Sequence, residues 1–186
     1  MTTTPQPDET RSHSRRGNLK GHSGFTLVEL MVVVGIIGIV LAIATMNFKQ
    51  WNDKYTVESY TKEIYSILMK ARNDAANTNT QNLVALAANQ VQVTQDTDGD
   101  GAFTPGEPTT TKPYPRFTIN STIGGGLPAT IIFDRRGITT NTQTIRITGY
   151  SPNASPGVDC ITVATTRINM GSWDPTQPVG LQCVQQ

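Results

Sequence analysis

The chain has 186 residues, room for one ordinary hydrophobic core and an appendage rather than for two domains. Its 15 Lys and Arg against 14 Asp and Glu leave a formal net charge of +1, without the basic excess that gives a nucleic-acid binder its electrostatic footprint. Both histidines, His13 and His22, precede residue 25, so the rest of the chain lacks the usual general base; neither an enzyme nor a small-molecule substrate is expected.

Residues 1–24 are rich in Thr, Ser, Pro, Gly and basic side chains and have almost nothing to bury, so they read as an unstructured leader. An apolar run follows from 25 to about 45; twenty such residues make a helix about 30 Å long, which fits a bilayer core. Arg11, Arg15, Arg16 and Lys20 precede the run, so the positive-inside rule puts the leader in the cytoplasm and everything beyond Ala44 across the membrane. Ala42-Ile43-Ala44 also offers the small-residue cleavage site of a secretory signal peptide. The run is longer than such a peptide needs, however, and helical periodicity continues past Ala44, so retention is the expected outcome. Gly35 and Gly38 each cost roughly 1 kcal/mol relative to Ala in a helix interior and mark a soft point. Glu29 is the one carboxylate in the run. At the centre of a bilayer it would cost about 2.5 to 3.5 kcal/mol, but near the start of a helix the cost is smaller and the dipole favours a negative charge.

Phe48, Trp51, Tyr55, Tyr60, Ile64, Ile67, Leu68, Ala71 and Ala75 recur mostly at steps of three or four, which continues the helix as an amphipathic half over 46–77. This stripe is expected to pack on a sheet, and the poor helix formers NTNTQ of 77–81 end the helix. Residues 78–186 are β-rich, with strands predicted at 82–87, 91–95, 116–122, 129–133, 142–148 and 161–169 between Gly and Pro turn signals. One long helix followed by an antiparallel sheet domain is an α+β order.

Between the second and third predicted strands, residues 96–107 read DTDGDGAFTPGE and match the calcium-loop pattern D-x-[DN]-x-[DN]-G-x5-E. Asp96, Asp98 and Asp100 can supply side-chain oxygens, Ala102 a carbonyl and Glu107 a bidentate carboxylate, while Gly101 permits the sharp turn. The flanks read as a strand at 91–94 and a proline-led PTTT at 108–111, so the expectation is a calcium-binding hairpin loop without the helices of an EF-hand. The same Asp and Gly residues also suit a solvated turn. In an exported domain, Cys160 and Cys183 read as one disulfide, worth about 3 kcal/mol.

Gly24-Phe25-Thr26-Leu27-Val28-Glu29 and the apolar run behind it resemble the N-terminal signal of type IV pilins and type II secretion pseudopilins. The resemblance implies that prepilin peptidase removes residues 1–24, cutting between Gly24 and Phe25, and N-methylates the new Phe25 amine. It also implies a subunit held in the inner membrane with its C-terminal domain in the periplasm, then moved into a periplasmic pseudopilus or a cell-surface pilus among other such subunits. In that filament Glu29 would pair with the Phe25 amine of a neighbour. The family's usual proline at the twenty-second mature position is Met46 here, which leaves the glycines as the softer point. RNDAANTNTQNLVA of 72–85 resembles the helix-to-strand junction of the GspH/FimT group of minor subunits, and IIFDRRG of 131–137 its I-x-F-x-x-x-G hairpin. Some members bind DNA through a C-terminal cluster of Gly and Arg. The tail 167–186 has one arginine and no such cluster, so a structural minor subunit is expected ahead of a DNA-binding or adhesive one.

Overall fold

Helix α1 (Leu27–Thr78) begins where a side chain can cap it. Thr26 Oγ1 accepts the Glu29 N–H at 3.2 Å and the Thr26 carbonyl accepts the Leu30 N–H at 3.2 Å, which makes Thr26 the N-cap and Glu29 the acidic residue of the first turn. At the far end Asn79 adopts φ 54°, the left-handed stop that asparagine tolerates. The computed structural model describes residues 24–121 and 126–185, and within α1 it describes the side chains except those of 43–47. The predicted leader, Gly24 apart, lies outside the described residues, as does residue 122 at the end of the strand predicted at 116–122.

The chain divides into two units, 1–41 and 42–186. In the first, every large apolar side chain from Phe25 to Leu41 is close to half exposed or more, Val33 least at 48%. Among the described residues no helix is long and apolar enough to cross a membrane. The predicted transmembrane segment, 25–45, is therefore not met there: described side chains of the run stop at Ala42, about 24 Å of helix from Leu27 against a hydrocarbon core of about 30 Å.

The second unit holds the rest of α1 and two antiparallel sheets. β1 (Gln81–Ala87), β2 (Gln90–Asp96), β3 (Thr109–Pro113) and β5 (Ala129–Phe133) form one in the order β3-β2-β1-β5. β4 (Thr118–Ser121), β6 (Gln143–Thr148), β7 (Cys160–Val163), β8 (Ile168–Trp173) and β9 (Cys183–Gln185) form the other in the order β4-β6-β7-β8-β9. Val57, Ile64, Leu68, Ala71 and Ala75 of α1 are buried in one cluster with Val84, Ile131 and Phe133 of the first sheet and Ile119, Ile145 and Ile161 of the second. Burying such apolar side chains supplies about 1.5 to 3 kcal/mol each and is the main force holding helix to sheets. Asn82 Nδ2 donates to the Ala71 carbonyl at 2.7 Å and fixes β1 against the helix.

Three expectations need correcting. Phe48, Trp51 and Tyr55 are not on the buried stripe but 64%, 58% and 52% exposed; the helix there buries Asp53, Val57 and Thr61 instead. A polar residue replaces an aromatic because its partners are supplied: Asp53 Oδ1 accepts Arg116 Nη2 at 2.6 Å, and its Oδ2 accepts the Ser151 hydroxyl at 2.7 Å and the Ser151 N–H at 3.2 Å. The predicted strand 161–169 is a hairpin, β7 and β8, closed where the Ala164 N–H reaches the Arg167 carbonyl at 2.8 Å. β3 and β9 were not predicted at all. β3 is wholly exposed and Thr-rich, so it has no apolar alternation to betray it.

Candidate functional site

Gly24, Phe25 and Glu29 come together at the head of α1. Gly24, Phe25 and Thr26 precede the first helical residue and are exposed, Phe25 at 83%, so the Gly24–Phe25 peptide bond stands in accessible non-helical backbone. Such backbone is what a protease needs to engage. Glu29 is also exposed, and it is the only charged residue among the described side chains from 25 to 42. The sequence reading missed Thr26, although T-x-x-E ahead of an apolar run is a signature of a capped helix start. Its cap fixes the turn on which Glu29 sits.

The acidic loop between β2 and β3 is the second site. Asp96, Asp98 and Glu107 each place a carboxylate oxygen within 4.8 Å of the others. Asp100, predicted for the same set, is not in this side-chain cluster: its Oδ1 accepts the Ala102 N–H at 2.7 Å and its Oδ2 the Thr104 hydroxyl at 3.3 Å. Asp96 accepts the N–H groups of Gly99 and Gly101 at 2.5 and 2.8 Å, and Glu107 those of Thr97 and Thr104 at 2.8 and 3.1 Å. The Asp100 N–H pulls the Asp98 carboxyl down, yet desolvation and the neighbouring Asp100, Asp96 and Glu107 carboxyls together hold it above its ordinary value. Hard carboxylate oxygens crowded to that degree are the donor type that a divalent cation of the calcium kind accepts.

The predicted hairpin at 131–137 packs on α1 at Arg72 and reaches the acidic loop. Asp134 Oδ1 accepts the N–H groups of Arg136 and Ile138 at 2.9 and 2.8 Å and shapes the turn. Gly137, at φ +70°, is buried so closely on α1 that an added Cβ would stand 3.1 Å from the Arg72 carbonyl oxygen, so the turn needs glycine twice over. Arg135 reaches the acidic loop, since a Cβ on Gly99 would lie 3.7 Å from its Nη2. Arg135 and Arg136 are both exposed.

Cys160 and Cys183 are bonded, as predicted, joining β7 to β9 across β8. The strand they cross carries Gly171, where a side chain would overlap the Val184 carbonyl and crowd the Cys183 sulfur. A groove of about 450 Å³ runs between α1 and β2–β3, with Lys70, Asp74 and Lys112 among its polar lining and Ile67, Val91 and Val93 among its apolar lining.

Comparison with known proteins finds two family models in this chain. The prokaryotic N-terminal methylation motif matches residues 19–45, and type II transport protein GspH matches residues 61–166. No curated protein sequence matches the chain. Among solved structures, the minor pseudopilin EpsH of the Vibrio cholerae type II secretion system is 13% identical, aligned over 63% of this chain and 96% of its own, with a TM-score of 0.47. The type IV minor pilin FimU of Pseudomonas aeruginosa is also 13% identical, over 73% of this chain and 98% of its own, with the same TM-score.

Proposed function

The chain belongs to the type II transport protein GspH family, and from that premise we propose that it is a structural minor subunit of a type II secretion pseudopilus or type IV pilus, assembling through the N-terminal half of α1. One observation carries the proposal: a single carboxylate, Glu29, stands on a capped first turn at the head of an exposed apolar helix, within the matched methylation motif. No lone β domain has use for that arrangement. Prepilin peptidase cuts the Gly24–Phe25 bond and methylates the new amine. The apolar run, continued in sequence through residues 43–45, holds the subunit in the inner membrane with residues 46–186 in the periplasm. On assembly Glu29 meets the Phe25 amine of a neighbouring subunit where water is excluded, and the pair sets the register between subunits. The β unit faces outward to contact other subunits. Intact mass of the membrane-extracted protein tests this: residues 1–24 should be gone and one methyl group gained, whereas a cut after Ala44 would sink the reading.

The acidic loop is proposed to hold a structural calcium ion through Asp96, Asp98 and Glu107, whose crowded carboxylates support that role. When bound, the ion would neutralise those carboxylates and brace the turn between β2 and β3. A calcium titration followed by melting temperature should raise Tm by several degrees, a tenth or less of which survives in Asp98→Asn with Glu107→Gln. An equal rise in that variant would rule the loop out.

A further inference from the structure

Phe48, Trp51 and Tyr55 form a ladder on α1. Their ring centroids are 6.4 Å apart and then 4.6 Å, the second pair edge to face, and all three rings are more than half exposed. The opposite side of the same turns buries Asp53, Val57 and Thr61, so the ladder adds nothing to the core. A contiguous exposed aromatic patch on a small domain marks a contact surface.

The chemistry of the ladder is graded. Phe48, four residues beyond the end of the apolar run at Ala44, has no polar atom; Trp51 and Tyr55, farther along, carry an N–H and an O–H on their rings. Seven residues past Tyr55, and so on the same helix face, Lys62 presents an ammonium group whose side chain is 62% exposed and whose nitrogen stands 3.9 Å from Glu58 Oε2, the long separation of a weak surface pair. Apolar ring, then amphipathic rings, then cation is the order of environments met on leaving a bilayer: hydrocarbon edge, headgroup, phosphate and water. Trp and Tyr concentrate at that boundary because one end of the ring is apolar and the other accepts hydration.

We propose that the Phe48–Trp51–Tyr55 ladder docks in the phospholipid headgroup layer on the periplasmic side of the membrane before assembly, with Lys62 toward lipid phosphate. The proposal rests on the membrane-anchoring reading above, and it adds what fixes the depth and rotation of the helix there. A neighbouring subunit's helix is the competing occupant.

The test uses the full chain in vesicles of phosphatidylethanolamine and phosphatidylglycerol, compared with Trp51→Phe so that the unchanged emission of Trp173 cancels. The difference spectrum should be blue-shifted, lose most of its intensity to lipids brominated near the headgroup, and lose little to lipids brominated near the chain end or to aqueous iodide. A chain that alkaline carbonate strips from the vesicles overturns the anchoring reading and this one with it. A retained chain whose Trp51 emission iodide still quenches overturns this one alone, as does protection that arises only when a second subunit is added.

Discussion

The two ends of α1 are made of the same secondary structure and have opposite dependence on their surroundings. Over Val57–Ala75 the helix is satisfied within the chain: Val57, Ile64, Leu68, Ala71 and Ala75 are buried, and Thr61 Oγ1 closes on the Val57 carbonyl at 2.9 Å. Over Leu27–Leu41 its large apolar side chains are exposed, and its one carboxylate has no opposite charge among the described side chains of that stretch. A helix that is hydrophobic all round is stable only when something else covers it, so the first stretch needs a cover that the described residues do not supply, the role the proposed assembly fills, while the second is held by the fold. Substitutions should separate accordingly. The largest effect is expected from Glu29→Ala: cross-linking between neighbouring subunits in the membrane should fall by about two orders of magnitude or more, because in the proposed contact the partner amine is left unpaired where water is excluded. The melting of the 42–186 unit should not move. Normal cross-linking in that variant would remove Glu29 from the assembly contact.

On the folded side, the disulfide should come next. Converting Cys160 and Cys183 to Ser opens a loop with a sequence separation of 23 and is expected to cost about 3 kcal/mol in urea unfolding, without changing how the helix head assembles. Asp53 follows. Its carboxyl is held below the ordinary carboxylate value chiefly by the Ser151 hydroxyl; burial opposes this, and the Ser151 N–H and Arg116 assist. A group whose folded pKa is lowered stabilises fully above its unfolded value of 3.8 and loses that contribution as pH falls through the folded value. Asp53→Asn should therefore lose about 2 kcal/mol near neutral pH, and its Tm should fall less steeply than that of the intact chain below about pH 4. Parallel Tm curves for the two chains would show that Asp53 does not carry that slope.

The parts of the molecule legible in the sequence are those where one short-range signal suffices. The head of the helix, the α+β order, the disulfide and β5 at Ala129–Phe133 all follow from periodicity, residue type or a local motif. The failures are places where a distant residue decides. Aromatic residues at positions 48, 51 and 55 look like a packing stripe until Arg116 and Ser151 arrive from far along the chain to bury Asp53 instead. β9 exists because Cys183 is bonded to Cys160 and because Gly171 leaves room between them. In the acidic loop three of the four carboxylates named by the spacing gather, Asp96, Asp98 and Glu107; the hydrogen bonds of Asp100 to the Ala102 N–H and the Thr104 hydroxyl are a choice that spacing does not encode.

The smallest expected effect sharpens the comparison most, since it touches the stretch that has no core to rely on. Thr26→Ala removes the hydroxyl oxygen that accepts the Glu29 N–H and leaves that donor to solvent. An N-cap of this kind contributes about 1 kcal/mol, which corresponds to about fivefold faster hydrogen exchange at Glu29 and Leu30 in the full chain. Exchange over Val57–Ala75 should be unchanged, because the stability of those turns comes from the sheets packed on them. If the first turn were instead held by the apolar run alone, Thr26→Ala would leave both stretches as they are. If the helix melted as one unit, both would accelerate together. Only unequal protection supports a helix whose head is locally capped, on the turn that carries Glu29, and whose second stretch is held by the sheets.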